Sequence, residues 1–248
     1  MMRTDDRRSR LFGVDVDALT MDETLDRILE LRDGGEPVQH VVLNASKVVA
    51  MSKDERLKQV IAGCPIVNAD GMSVVAASRL LRRPLPERVT GIDLFLELVK
   101  RCADDGRSVY FLGAEDEVLD EMVRRFREQY PTLRIAGYRN GFWDDDNAVV
   151  QQVCDAHADL LFLAIPSPRK EFWLGEHLPA LGVPFAMGVG GSFDVVAGKV
   201  DRAPMWAQRS GLEWVYRVIQ EPRRLWKRYL VGNTHFIWLT LKEMVRPA

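Results

Sequence analysis

The sequence predicts a Rossmann-like α/β fold, a parallel sheet covered by helices, followed by a C-terminal helical basic appendage. Three observations carry this. Segments such as ADLLFLAI and VPFAMGVG are apolar throughout, as strands buried on both faces are. Amphipathic stretches of helical length separate the strands, the alternation of a parallel sheet wound with helices. From about Arg202 onward that rhythm stops, and Pro204, Pro222 and Gly232 punctuate segments that read as helical. The expected division is an α/β catalytic domain over residues 1–198 and an appendage over 199–248.

Taken in order, the basic leader MMRTDDRRSR precedes LFGVDVDAL, a short strand or hairpin. Thr20 and Glu23 have the spacing of a capping box and start a helix that runs to Gly34. VQHVVLN is a strand, and Asn44 can cap the helix after it. CPIVNAD is a short strand ending in a polar turn, and GMSVVAASRLL is helical. Thr90 caps IDLFLELVKRCADDG; SVYFLG is a strand, EDEVLDEMVRRFREQY a helix, LRIAGY a strand and DNAVVQQVCDAH a helix. ADLLFLAI and VPFAMGVG flank the helix KEFWLGEHLPALG. In such a sheet, function gathers in the loops at the carboxyl ends of the strands. Those ends carry Asn44, Asp70-Gly71, Gly113, Gly137-Tyr138, Pro166-Ser167-Pro168 and Gly188-Val189-Gly190-Gly191.

At 248 residues, 47% hydrophobic and 28% charged, the chain has an ordinary globular composition and can bury one substantial core. No apolar stretch approaches the roughly 20 residues that span a bilayer, and the first residues lack a signal-peptide apolar region. The expectation is a cytoplasmic protein. Cys64, Cys102 and Cys154 are widely spaced, with no CxxC, and read as reduced thiols.

Charge is unevenly distributed. Residues 199–248 hold ten Lys/Arg and four Asp/Glu, although the whole chain has net charge −2. Within LEWVYRVIQEPRRLWKRYL, five basic residues stand beside Trp214, Tyr216, Trp226 and Tyr229. On a helix, Arg223, Arg224, Lys227 and Arg228 share an arc of about 140°, with Leu225, Trp226, Tyr229 and Leu230 opposite. Such a helix suits an anionic phospholipid surface, or capture of a diphosphate beside an apolar wall; it also fits a surface helix whose basic face is merely solvated. An acidic body with a basic tail argues against nucleic acid as a partner.

Gly113 and the cluster Gly188, Gly190, Gly191 each lie between a strand and a helix, where bare backbone can accept a diphosphate. Tight turns also use glycine without any ligand, and Phe193 occupies the third glycine position of GxGxxG. A dinucleotide oxidoreductase is therefore a poor reading. The lack of GxxxxGK[ST] argues against P-loop phosphoryl transfer. Asp70 stands where a carboxylate can project into the cleft as a general base, or where it would simply make an Asp-Gly turn and cap the next helix. Asp144-Asp145-Asp146 has the spacing to hold a divalent cation, but its place at a helix start favours capping. His40, His157, His177 and His235 show no metal-ligand spacing, and no GxSxG occurs.

Together, VVLNASKVV, NADGMSVVAASRLLRRPLPERVTGIDL, GYRNGFW, SPRKEFW, MGVGGSFDVVAGKVDRAPMW and LEWVYRVIQEPRRLWKRYL resemble the WecG/TagA/CpsF family of bacterial glycosyltransferases over nearly the whole chain. The resemblance implies inverting, metal-independent transfer from a nucleotide diphosphate sugar, usually a UDP-sugar, to a polyprenyl-diphosphate-linked saccharide in cell-surface polysaccharide synthesis. It implies no cofactor and a peripheral position on the inner face of the plasma membrane. Asp70 matches the family's proposed base, and Asn44 the polar residue of its Thr-x-Asn motif. Arg217, Arg224 and Lys227 or Arg228 match the appendage cations thought to meet the donor diphosphate. Val42 stands where many members have threonine, and in PSPRKE Pro166 replaces a glycine and Lys170 a glutamine. Those departures sustain an alternative, a catalytically inactive nucleotide-sugar-binding regulator or scaffold at the membrane. A homo-oligomer is compatible with the sequence.

Overall fold

The computed structural model describes residues 7–204, 207, 213–220 and 222–245. A hairpin comes first, β1 (Arg8–Leu11) paired antiparallel with β2 (Val14–Asp17). Then follow α1 (Met21–Asp33), β3 (Val38–Leu43), α2 (Ala45–Met51), α3 (Glu55–Ala62), β4 (Ile66–Ala69), α4 (Met72–Leu80) and α5 (Gly91–Asp104). Next are β5 (Ser108–Gly113), α6 (Asp116–Gln129), β6 (Arg134–Arg139), α7 (Asp146–Asp155), β7 (Leu160–Ala164), α8 (Arg169–His177), β8 (Phe185–Gly188) and α9 (Ser192–Val196). The C-terminal residues, read from the sequence as an appendage, contribute α10 (Glu213–Gln220) and α11 (Pro222–Met244).

Strands β3 to β8 form one six-stranded sheet in the order β4-β3-β8-β7-β5-β6, parallel at every pairing. All six carboxyl ends therefore lie along one edge. The side-chain period of two divides each central strand between the faces. Phe111, Phe162, Phe185 and Met187 join α1, α5, α6 and α9 on one side. There Phe95 of α5 makes edge contacts with Phe111, Phe126 and Phe162 at centroid distances of 6.3, 5.8 and 4.7 Å. On the other side Tyr110, Leu112, Leu161 and Leu163 meet α7 and α8, while Val41 and Leu43 meet α2, α3, α4 and the hairpin. Each such fully buried side chain contributes about 1.5–3 kcal/mol relative to exposure.

Local signals place the helices. The Thr20–Glu23 capping box is reciprocal, and Asn44 and Thr90 accept backbone N–H groups of α2 and α5. Two boundaries differ from the sequence reading. The stretch after Asn44 is two helices, because Asp54 caps a second one by accepting from Leu57 N at 3.1 Å. Gly232 does not interrupt the last helix: α11 is continuous over 23 residues, and a methyl group at Gly232 would meet nothing within 4 Å.

Helix α11 is docked on the body through its C-terminal half. Phe236 is buried in the cluster formed with α2, and its ring lies 5.5 Å from that of Phe12. Thr240 is buried one turn on, and Glu243 lies 3.9 Å from Arg83. The opposite stripe, Leu230, Ile237, Trp238, Leu241 and Val245, at spacings of three, four and seven residues, is more than half exposed at every position. Among the described residues, no helix is long and apolar enough to cross a membrane.

One buried group gives a pH prediction. His40 sits in β3 with Nε2 3.0 Å from Asn68 Oδ1, and Asn68 Nδ2 donates to Thr24 Oγ1 at 3.0 Å. Since that amide oxygen accepts, the network assigns the proton to Nε2. Burial pushes His40 down to about 4 from 6.5. Between those values the unfolded chain binds a proton that the native state does not, so stability falls as pH drops from 6.5 to about 4. The full contribution is about 3 kcal/mol. The midpoint of urea unfolding should decline over this window, and less so in His40→Gln; identical profiles for the two proteins would remove His40 as the cause.

Candidate active site

The parallel register brings the candidate loops together. β3 and β4 pair up to Leu43 and Ala69, and the Asp70 N–H continues the ladder by donating to Leu43 O at 2.8 Å. β3 also pairs with β8, and Leu163 of β7 lies opposite Gly188. Asn44, Asp70 and the Gly188–Gly191 turn thus leave adjacent strands at one edge.

Asp70 is half-buried. The N-cap of α4 is Gly71, at φ +133°, so Asp70 stands one residue before the cap position. Asn44 does have a structural role, because its Oδ1 accepts from Lys47 N at 2.9 Å. Val42 is buried and faces the start of α5: a Cβ at Gly91 would stand 3.6 Å from both its methyl groups.

The glycines divide by what surrounds them. Gly113 has φ +122°, and a Cβ there would come 2.5 Å from Ala164 O, so close strand packing alone requires glycine. The first turn of the following helix is acidic at Asp116 and Glu117, a poor setting for phosphate. Gly188 and Gly190 instead border a cation. A Cβ at Gly188 would lie 2.8 Å from Lys170 Cδ and 2.9 Å from its Cε, and one at Gly190 3.8 Å from its Nζ. Gly191 precedes α9, which is only five residues long.

Lys170 belongs to a buried charged group that the sequence reading noted only as a departure. Lys47 Nζ lies 2.8 Å from Glu171 Oε1, with side chains 4% and 1% exposed. Lys170 Nζ lies 3.4 Å from the same oxygen and is 12% exposed. Ser167 Oγ donates to Glu171 Oε2 at 2.8 Å. Burial pushes the Glu171 carboxyl up, but Lys47 and Lys170 reverse this and hold it below its ordinary value. Burial, aided by the Lys47 charge, pulls the Lys170 ammonium below its ordinary value, against Glu171 and Asp70. A detectable sequence signal existed: Lys47 and Glu171 both follow strand ends, in the first turns of α2 and α8.

Asp145 caps α7 by accepting from Asn147 N and Ala148 N. Asp146 accepts from Trp143 Nε1 at 2.6 Å and Trp173 Nε1 at 2.7 Å, which occupies one of its oxygens. Among the described residues, no cluster of three His, Cys, Asp or Glu side chains could hold a metal ion. Cys64 and Cys102 are buried, and burial pushes each thiol up to about 12, leaving both inert.

The segment entering the appendage is pinned near the same edge. Arg202 Nη2 lies 2.7 Å from Asp93 Oδ1 at the start of α5, and Lys199 Nζ 2.5 Å from Glu115 Oε2. Arg217 falls within α10, and Arg224, Lys227 and Arg228 within the first turns of α11; their side chains lie outside the described residues.

Comparison with known proteins matches residues 9–248 to the glycosyl transferase WecG/TagA/CpsF family. Two similar proteins carry the name N-acetylglucosaminyldiphosphoundecaprenol N-acetyl-beta-D-mannosaminyltransferase. The one from Bacillus spizizenii is 34% identical over 178 residues, 72% of this chain and 69% of its own. The one from Bacillus subtilis is 35% identical over 188 residues, 76% of this chain and 73% of its own.

Proposed function

Because this chain belongs to the WecG/TagA/CpsF glycosyltransferase family, we propose that it transfers an N-acetylhexosaminyl group from a UDP-sugar to a sugar carried on polyprenyl diphosphate, with inversion and without a metal. The observation that carries the reading is the meeting of Asp70, Asn44 and the Gly188–Gly191 turn at adjacent strand ends. The names of the two Bacillus relatives support a lipid-diphosphate-linked N-acetylglucosamine as acceptor and N-acetylmannosamine as the transferred group.

In this mechanism Asp70 takes the proton from an acceptor hydroxyl as its oxygen attacks the anomeric carbon. The bond to the diphosphate breaks on the opposite face, and UDP departs with the bonding electron pair. Charge on the leaving group is the harder problem. Arg217, Arg224 and Lys227 or Arg228, brought over the strand ends by the appendage, meet it. Arginine suits the task because its planar fork pairs bidentately with phosphate oxygens and stays charged. The exposed stripe of α11 supports a second role for residues 199–248, adhesion to the anionic inner face of the plasma membrane where a polyprenyl acceptor resides.

The test is transfer from a panel of UDP-N-acetylhexosamines to a short-chain lipid diphosphate N-acetylglucosamine, with the product linkage read by NMR. A lipid-linked disaccharide of inverted anomeric configuration is expected. Donor binding without transfer to any lipid-linked sugar would favour the regulatory alternative. Activity is expected to survive EDTA unchanged, since the leaving charge is assigned to arginines and the Asp145 and Asp146 carboxylates are engaged in a cap and two indole bonds. A rate restored only by Mg²⁺ or Mn²⁺ would refute that assignment.

A further inference from the structure

The buried group at the strand ends holds two ammonium groups against one carboxylate. Glu171 lies nearer to Lys47, at 2.8 Å, than to Lys170, at 3.4 Å. With Ser167 on its other oxygen, Glu171 is fixed in place without saturating the three donors of Lys170. The Lys170 stem runs along Gly188, where a side chain of any kind would collide with it, and its ammonium ends beside Gly190. Asp70, the candidate base, acts on it electrostatically. Lys170 shares its carboxylate with Lys47 and ends beside the glycine turn, so its remaining donors are placed to take a further anion there.

We propose that Lys170 is a donor-contacting residue, whose ammonium pairs with an anionic group next to the donor's anomeric carbon at the Gly188–Gly191 turn. The assigned group is the β-phosphate. The clamp then has two parts, a fixed cation in the body and arginines supplied by the appendage. The inference rests on the donor reading given above. A carboxylate on the transferred sugar offers the same chemistry from a second source, and the two sources can be separated.

The experiment is calorimetric titration of the full-length protein and its Lys170→Gln and Lys170→Arg variants with UDP and with UMP, which lacks the β-phosphate. Lys170→Gln should weaken UDP binding about ten- to a hundred-fold, the effect of losing one charge-assisted hydrogen bond. UMP binding should stay within about threefold of wild type, and Lys170→Arg should keep most of the UDP affinity because the charge is retained. If UDP affinity is unchanged but Lys170→Gln loses an existing preference for a UDP-N-acetylhexosaminuronate over the neutral sugar, Lys170 still reads an anion and its partner is the sugar carboxylate. Unchanged UDP binding together with unchanged donor preference overturns the proposal. Equal losses for UDP and UMP would overturn it too, because they report packing. Should Lys170→Gln fail to fold, judged by its thermal midpoint, Lys170→Met, which keeps the apolar stem and removes the charge, carries the same UDP and UMP comparison. Failure of the donor reading would appear in the wild type itself, as neither UDP binding nor transfer, and would remove this inference with it.

Discussion

Asp70→Asn is expected to lower transfer by about 10²- to 10⁴-fold, the usual worth of a positioned general base. Donor affinity and thermal stability should stay near wild type. The substitution preserves shape and removes the carboxylate's charge together with its capacity to take a proton. The backbone bond from Asp70 N to Leu43 O remains, and Gly71, not Asp70, occupies the N-cap position of α4. Initial rates with saturating donor and acceptor, together with the donor dissociation constant, separate chemistry from binding. Near-normal turnover would return Asp70 to the role of a turn residue.

Local signals made the fold legible. Strands apolar on both faces, a reciprocal capping box at Thr20 and Glu23, and caps at Asn44 and Thr90 all act over a few residues, so they can be read along the chain. The Gly232 boundary was misread because glycine in a helix is weighed against what the rest of the helix gains. Phe236 and Thr240 bury beyond it, and that packing exceeds the roughly 1 kcal/mol that glycine costs relative to alanine. At the candidate site, Asp70 and the Gly188 turn were visible as strand ends. Lys47 and Glu171 also follow strand ends, but their pairing across 124 residues was not legible, because it follows from strand order, and strand order is a tertiary property. Gly113 shows the converse: one sequence signal served backbone packing against Ala164.

Replacing Arg217 and Arg224 together by alanine is expected to lower turnover on a water-soluble acceptor analogue by about 10²- to 10⁴-fold. Each lost charge-assisted phosphate contact costs about 1.5–3 kcal/mol, or roughly ten- to a hundred-fold in rate if formed mainly in the transition state. Removing the appendage would be a less discriminating experiment, since α11 buries Phe236 against Phe12 and the α2 cluster, and truncation would uncover that surface. Point substitutions leave the docking intact and separate the two roles proposed for the appendage. Changing Ile237, Trp238 and Leu241 to polar residues should weaken adhesion to anionic vesicles, because these side chains are exposed and opposite the docked face. Turnover on the soluble analogue should then persist, as membrane attachment is irrelevant there. The arginine variant should show the reverse pattern, with vesicle binding retained through the apolar stripe. Full turnover by Arg217→Ala/Arg224→Ala on the soluble analogue would reduce the appendage to a membrane anchor and leave the leaving diphosphate to cations of the body.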